Sequence, residues 1–312
     1  MYEKTMKILC IHGAGTSATV RPSLTKFVLR PPFRPSTSTE LTRAIATDFS
    51  DPTWCAFYSC LSHYNTSTTD LLSYKIAPVK YELAKTVRAE FHFVNGPNEA
   101  RAAIGIAEQF EGPYYRFFDS RAPYPPTTGA SESFIRQAKS PEDFGRGLRE
   151  VGLEDVGLSR ACDFVQHHVE QHDGNPFDGV LGFSEGASIA ASLILRQCRE
   201  KGTSLFKFAA FICCIVPPLR SDREDVLLAD ETAERIDIPT AHIVGSKDPG
   251  YQGGRALYNL CNQSSASIFD HGGPHTIPWD LASTRGIAKA IQSVGERSQS
   301  VSVASQEPSV LR

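Results

Sequence analysis

Hydrophobic positions in this chain gather in short runs that stop abruptly, and between them lie segments whose apolar residues recur at helical spacing. Lys7 to Ile11 forms such a run, ends at His12-Gly13-Ala14-Gly15, and predicts a short buried strand. The segment "YKIAPVKYELAKTVRAEF" (74–91) has the helical period, and "FHFVNGP" then alternates like a strand until Gly96-Pro97. Residues 157–172 read as a helix, "FDGVLGF" as a buried strand, and Glu185 to Arg199 as a helix of small and aliphatic residues. "FKFAAFICCIV", "TAHIVGSKD" and "ASIFDHG" are further strands, and "DLASTRGIAKAIQSV" is the last helix. Strands that alternate with helices, and lack a clean inside–outside alternation, predict a mainly parallel sheet covered on both faces.

Three stretches break the pattern. Thr19–Ser73 is crowded with serine, threonine and proline, shows no sustained period, and separates the first strand from the helix that should follow it closely. A lid, a disordered loop, and an intron translated through a wrong gene model all fit that block. Residues 110–150 form a second irregular region, dense in aromatics, proline and glycine, with the character of a lid. The polar segment from 295 to 312 has no period and reads as a disordered tail. The expected organisation is one α/β domain over residues 1–294 carrying the 19–73 insertion.

Composition narrows the class without naming the chemistry. Apolar residues make up 41% and charged residues 21%, the balance of a globular protein, and the net charge of -3 offers no basic surface to nucleic acid or an anionic membrane. The apolar run near the N-terminus is too short for a signal-peptide core, so a cytoplasmic protein is expected. The eight cysteines show no paired metal-ligand spacing, and Cys213 and Cys214 lie inside an apolar run, so no metal site is expected.

In open parallel sheets chemistry gathers at the carboxyl ends of the strands, and "HGAG", "GFSEG", "GSKD" and "GGPHTIP" all fall there. Gly182-x-Ser184-x-Gly186 has the form of a sharp strand-to-helix turn that lifts one hydroxyl above a sheet. Such a pattern recurs by chance in roughly one chain in ten of this length, so the serine needs partners to count. A serine hydroxyl needs a base, and the base an orienting acid, which in this architecture follow in the order serine, acid, histidine. Asp248 lies just past a strand; Asp237 precedes its strand and Asp270 directly flanks one, which makes both poorer candidates. His275 sits in a glycine-rich loop before the last helix, with His271 as its rival in the same loop. For the oxyanion, the backbone N–H of Glu185 at a helix start is one expected donor and that of Ala14 the other. The "GAGTSA" loop lacks both the P-loop lysine and the third glycine of a dinucleotide fingerprint.

Taken together, "ILCIHGAGTSA", "FHFVNGP", "FEGPYYRFFD", "FDGVLGFSEGA" and "GGPHTIP" resemble the fungal FSH family of serine hydrolases, most of all members found with polyketide synthases. The resemblance covers most of residues 6–294 outside the insertion. It implies an α/β-hydrolase fold with no metal or organic cofactor, and carries the nucleophile onto Ser184, the acid onto Asp248 and the base onto His275. It further implies a small acyl ester or acyl thioester as substrate, with a polyketide acyl carrier protein as a partner. Tyr114, Tyr115 and Phe117, within a wider aromatic patch, would line an acyl pocket, against the alternative that they pack a lid. Two departures stand out: Pro274 replaces the family's glycine before the histidine, and the 19–73 block has no counterpart. A hydrolase-fold protein that binds without cleaving, or a form inactivated by the insertion, are the competing readings.

Overall fold

The computed structural model describes residues 5–14, 21–22, 71–103, 106–107, 110–119, 138–150, 157–172, 176–220 and 225–304. Most of the 19–73 insertion and much of the 110–150 region therefore lie outside the described residues.

Six strands form the central sheet: β1 (Met6–Ile11), β3 (Ala89–Val94), β7 (Gly179–Phe183), β8 (Phe208–Ile212), β9 (Thr240–Val244) and β10 (Ala266–Asp270). Their order is β10-β9-β8-β7-β1-β3 and every pairing is parallel. Alternate residues of each strand feed opposite faces. Leu9, Ile11, Val180, Ala209 and Phe211 pack on one side, with helices α3 (Pro141–Glu150), α4 (Leu158–Glu170), α5 (Glu185–Lys201) and α6 (Tyr251–Asn259). Ile8, Cys10, Leu181, Phe183, Ala210 and Ile212 pack on the other, with α1 (Leu71–Lys75), α2 (Ala77–Ala84) and α7 (Leu281–Ala304). The inner strands β1, β7, β8 and β9 are buried on both sides, which is why their segments read as apolar runs. This is the α/β-hydrolase arrangement, a parallel sheet with helices on both faces.

Strand order reverses between β1 and β7: the chain leaves β1 for β3 on one side and later builds β7 to β10 on the other. At such a switch point the loops after the two strands diverge and leave a crevice. Here the two loops carry His12-Gly13-Ala14 and Ser184.

Two expectations change. The helix α7 runs to Ala304, well into the segment expected to be without structure from 295. Its face stays committed to the sheet, because Gly295 lies against Met6 and Ser298 is buried. The irregular 110–150 region contains a regular helix, α3, whose start is capped by the Ser140 hydroxyl accepting the Asp143 N–H at 3.0 Å, and whose Phe144 and Leu148 are buried. Two short antiparallel pairs lie outside the central sheet: β4 (Asn98–Ala100) with β6 (Tyr114–Arg116), and β2 (Arg21–Pro22) with β5 (Phe110–Glu111). At the insertion's end, Leu71 and Leu72 are already helical and buried, so ordered structure resumes before residue 73. No helix among the described residues is long and apolar enough to cross a membrane.

Candidate active site

Ser184 ends β7 and begins α5 with φ 56° and ψ -118°, a backbone conformation costly for any residue with a side chain. The flanking glycines make the turn possible. A Cβ at Gly182 would lie 2.6 Å from Ala187 Cα, and one at Gly186 would strike the carbonyl of Ile11 on the neighbouring strand. The Ser184 N–H donates to Ile212 O at 2.9 Å, fixing the turn to β8. Ser184 and Cys213, at the ends of adjacent strands, are the non-glycine residues with positive φ among the described residues.

Asp248 follows β9 in a tight turn, its own N–H bonded to Gly245 O at 2.9 Å and its Oδ1 accepting the Gly250 N–H at 2.7 Å. That leaves Oδ2 to accept from His275 Nδ1 at 2.7 Å, while His275 Nε2 lies 3.0 Å from Ser184 Oγ. A carboxylate only accepts, so Nδ1 carries the proton and Nε2 is free to accept the serine hydroxyl proton. The Asp248 side chain is 2% exposed and that of His275 30%, so the chain buries the carboxylate and leaves the imidazole at the surface of the crevice. Pro274 does not displace the histidine: its carbonyl accepts the Thr276 N–H at 2.8 Å and His275 sits at the apex of that turn. The rival His271 faces elsewhere, with Nδ1 accepting the Gly273 N–H at 3.2 Å and Nε2 3.7 Å from Cys213 Sγ. Asp270 braces the same loop by accepting the Ser246 and Gly272 N–H groups.

On the β1 side stands a residue that sequence reasoning passed over. His12 is buried, its Nδ1–H donates to Gly13 O at 2.7 Å, and its Nε2 accepts the Gly96 N–H at 3.0 Å. Burial pushes its pKa down to about 4, with the Gly13 bond opposing, so the ring is neutral over the ordinary pH range. Because a trans peptide points its C=O and N–H in opposite directions, anchoring the Gly13 carbonyl on His12 turns the Ala14 N–H away from that ring. Gly13 lies close beside Ser184, since a Cβ added there would come within 3.0 Å of Ser184 Cβ.

Glu185 contributes more than the backbone N–H that its position suggested. Its carboxylate is fully buried and accepts the Phe117 N–H at 2.7 Å and the Phe118 N–H at 3.4 Å, with Arg116 Nη2 at 3.3 Å. Burial raises its pKa, and Arg116 and the two N–H groups oppose that rise. This bracket draws Phe117 into the core, where its ring lies 4.9 Å from His12 and 6.3 Å from Phe164. Phe117 is thus a packing residue rather than a pocket wall. Tyr114 packs with Leu71, Ile106 and Phe110 and donates its hydroxyl to Phe110 O; Tyr115 pairs with Glu99 in the β4–β6 ladder. Neither tyrosine has a described contact with Ser184, Asp248 or His275.

Among the described residues one group has donors close enough to share an ion, Cys213, Asp248 and His275, within 4.8 Å of one another. An ion there would have to displace the proton shared by Asp248 and His275 and ionise a thiol that burial and Asp248 push well above its usual range. Those donors fit a hydrogen-bonded pair better than a metal.

Several known proteins are similar to this chain. "Esterase FPY3" of Fusarium mangiferae is 33% identical over 186 residues, covering 58% of this chain and 81% of that protein. "Esterase FUS5" of Gibberella fujikuroi is 26% identical over 241 residues, covering 77% of this chain and 87% of that protein. Among solved structures, a variant of Arabidopsis thaliana SOBER1 aligns over 94% of this chain and 100% of its own, at 14% identity and a TM-score of 0.44. Residues 59–286 match the family described as serine hydrolase (FSH1), and the chain belongs to that family, a hydrolase acting on ester bonds.

Proposed function

We propose that Ser184, His275 and Asp248 form the catalytic triad of this esterase, and that the backbone N–H groups of Glu185 and Ala14 bind the oxyanion. The observation that carries the reading is the unbroken relay from Asp248 Oδ2 to His275 to Ser184 Oγ, at 2.7 and 3.0 Å. In the first half-reaction Ser184 Oγ attacks the carbonyl carbon while its proton passes to His275 Nε2. The negative charge on the carbonyl oxygen is met by the Glu185 N–H at the start of α5, where the helix dipole assists, and by the Ala14 N–H. The leaving group departs with the proton from His275, and an acyl-serine remains. Water then gives a proton to His275 and attacks the acyl-serine; the proton returns to Ser184 as the carboxylic acid leaves. Asp248 holds the imidazole in the tautomer this cycle needs and stabilises the imidazolium formed in each half.

The substrate proposed is a small carboxylic ester, supported by relatives named as esterases. The likeness to polyketide-pathway members extends the reading to an acyl thioester on a carrier protein. Cys198, Cys213, Cys214 and Cys261 are unbridged thiols, as in a reducing compartment, which supports a cytoplasmic enzyme.

A fluorophosphonate probe tests the reading directly. The full-length protein is expected to label and to hydrolyse p-nitrophenyl butyrate, and Ser184→Ala to do neither. A folded full-length protein that does not label would leave a binding protein on a hydrolase fold; equal labelling of Ser184→Ala would move the nucleophile elsewhere.

A further inference from the structure

Lys75 closes the helix α1, half-buried, and its ammonium lies over the Phe183 ring, 5.6 Å from the centroid. Phe183 directly precedes the nucleophile. Its ring also meets the two loops of the site: a Cβ on Gly13 would lie 3.2 Å from Phe183 Cδ1, and the His275 ring is 5.4 Å away. The backbone of Lys75 is tied to the same place, because Trp279 Nε1–H, four residues past His275, donates to Lys75 O at 3.0 Å. The cation thus stands beside the scaffold that holds both the oxyanion loop and the base.

Among the described residues it has no counter-charge. No carboxylate among the described residues pairs with it, and burial lowers its pKa with the Cys213 sulfur as the opposing influence. Cys213 offers no such charge at neutral pH, since burial and Asp248 push its thiol well above the usual range. A half-buried ammonium with no anion among the described residues is a costly element, and such groups mark places where a ligand completes the electrostatics. The ring face beneath it supplies partial compensation and an apolar platform for a short carbon chain.

We propose that Lys75 is a specificity-determining residue of this esterase site, receiving a carboxylate carried by the substrate a few atoms from the scissile carbonyl. The inference rests on the triad reading for the position of that carbonyl. The substrate class is then half-acid esters, with the carboxylate either on the acyl chain or on the alcohol part.

The test compares kcat/KM for matched pairs of esters with the full-length protein, Lys75→Gln and Lys75→Arg. One pair is mono-p-nitrophenyl glutarate against p-nitrophenyl butyrate, which puts the charge on the acyl side. The other is 4-acetoxybenzoate against its methyl ester, which puts it on the leaving group. In one pair the charged-to-neutral ratio is expected to fall at least tenfold in Lys75→Gln and to be largely kept in Lys75→Arg, and which pair responds assigns the side. A ratio unchanged by Lys75→Gln in both pairs overturns the proposal. If the native protein cleaves none of these esters the triad reading fails, and calorimetry with glutaramate still decides on Lys75. Binding to Ser184→Ala should weaken at least tenfold when Lys75→Gln is added, and equal binding, or none to either, overturns the proposal. Should Lys75→Gln fail to fold, Lys75→Met replaces it in both arms.

Discussion

Two loops at the carboxyl rim of the sheet each carry a histidine among glycines, yet they put it to opposite uses. In the loop after β1, both ring nitrogens of His12 are engaged by backbone groups, the Gly13 carbonyl and the Gly96 N–H. Backbone groups cannot trade protons at ordinary pH, so this ring is a strut. In the loop after β10, His275 is engaged by side chains, a carboxylate on one nitrogen and a hydroxyl on the other. A carboxylate welcomes the imidazolium and a hydroxyl can yield its proton, so this ring can cycle. The partners, not the residue type or its glycine-rich setting, separate a base from a brace.

The largest effects should come from the cycling histidine. His275→Ala, or Asp248→Asn, which leaves a neutral partner and the wrong tautomer, should lower kcat by about 10⁴ while circular dichroism stays native. A loss of less than tenfold in either variant would dissolve the distinction between the loops. Next in size is the strut. His12→Phe removes the donor to Gly13 O and should reduce kcat by about 10² with little change in KM, because it loosens one proposed oxyanion donor rather than ground-state binding. His12→Asn can still donate to that carbonyl and should recover at least tenfold; equal losses in both variants would mean a packing effect alone. The last effect is on stability against pH rather than on rate. With the folded pKa of His12 held at about 4, below the usual value near 6.5, the unfolded chain takes up the proton first as pH falls. The stability is present above pH 6.5 and is lost toward pH 4, amounting to about 3 kcal/mol for this residue. His242, buried and lowered to about 3, adds a loss that continues further down. Urea titrations of native protein and His12→Asn over that window should show the shallower slope in the variant.

Much of this was legible in the chain. The proposed triad residues Ser184 and Asp248 each follow a fully buried strand whose end pointed to them, while His275 was marked by its glycine-rich loop. His12 escaped notice because its meaning lies in the Gly96 N–H, 84 residues away, and nothing local distinguishes a braced histidine from a loop residue. The Glu185 carboxylate was likewise invisible: an acidic residue in a first turn reads as a solvated helix start, and only the folded chain brings Arg116 and the Phe117 N–H to it. The helix α6 went unread because Gly253 and Gly254 weaken its propensity; the backbone of Ile215 leaves no room for a side chain at 253. The end of α7 was misplaced because a polar composition hides the packing of Gly295 against Met6.

The left-handed backbone of Ser184 has a consequence for how this protein changes over generations. A conformation of that kind costs on the order of 1–3 kcal/mol for a residue with a side chain and almost nothing for glycine. The fold is therefore expected to be sturdier with glycine at 184 than with the proposed nucleophile. A lineage screened for heat resistance alone would drift toward glycine at 184 and become a durable, silent relic. Only continued demand for turnover keeps the hydroxyl where the backbone resists it.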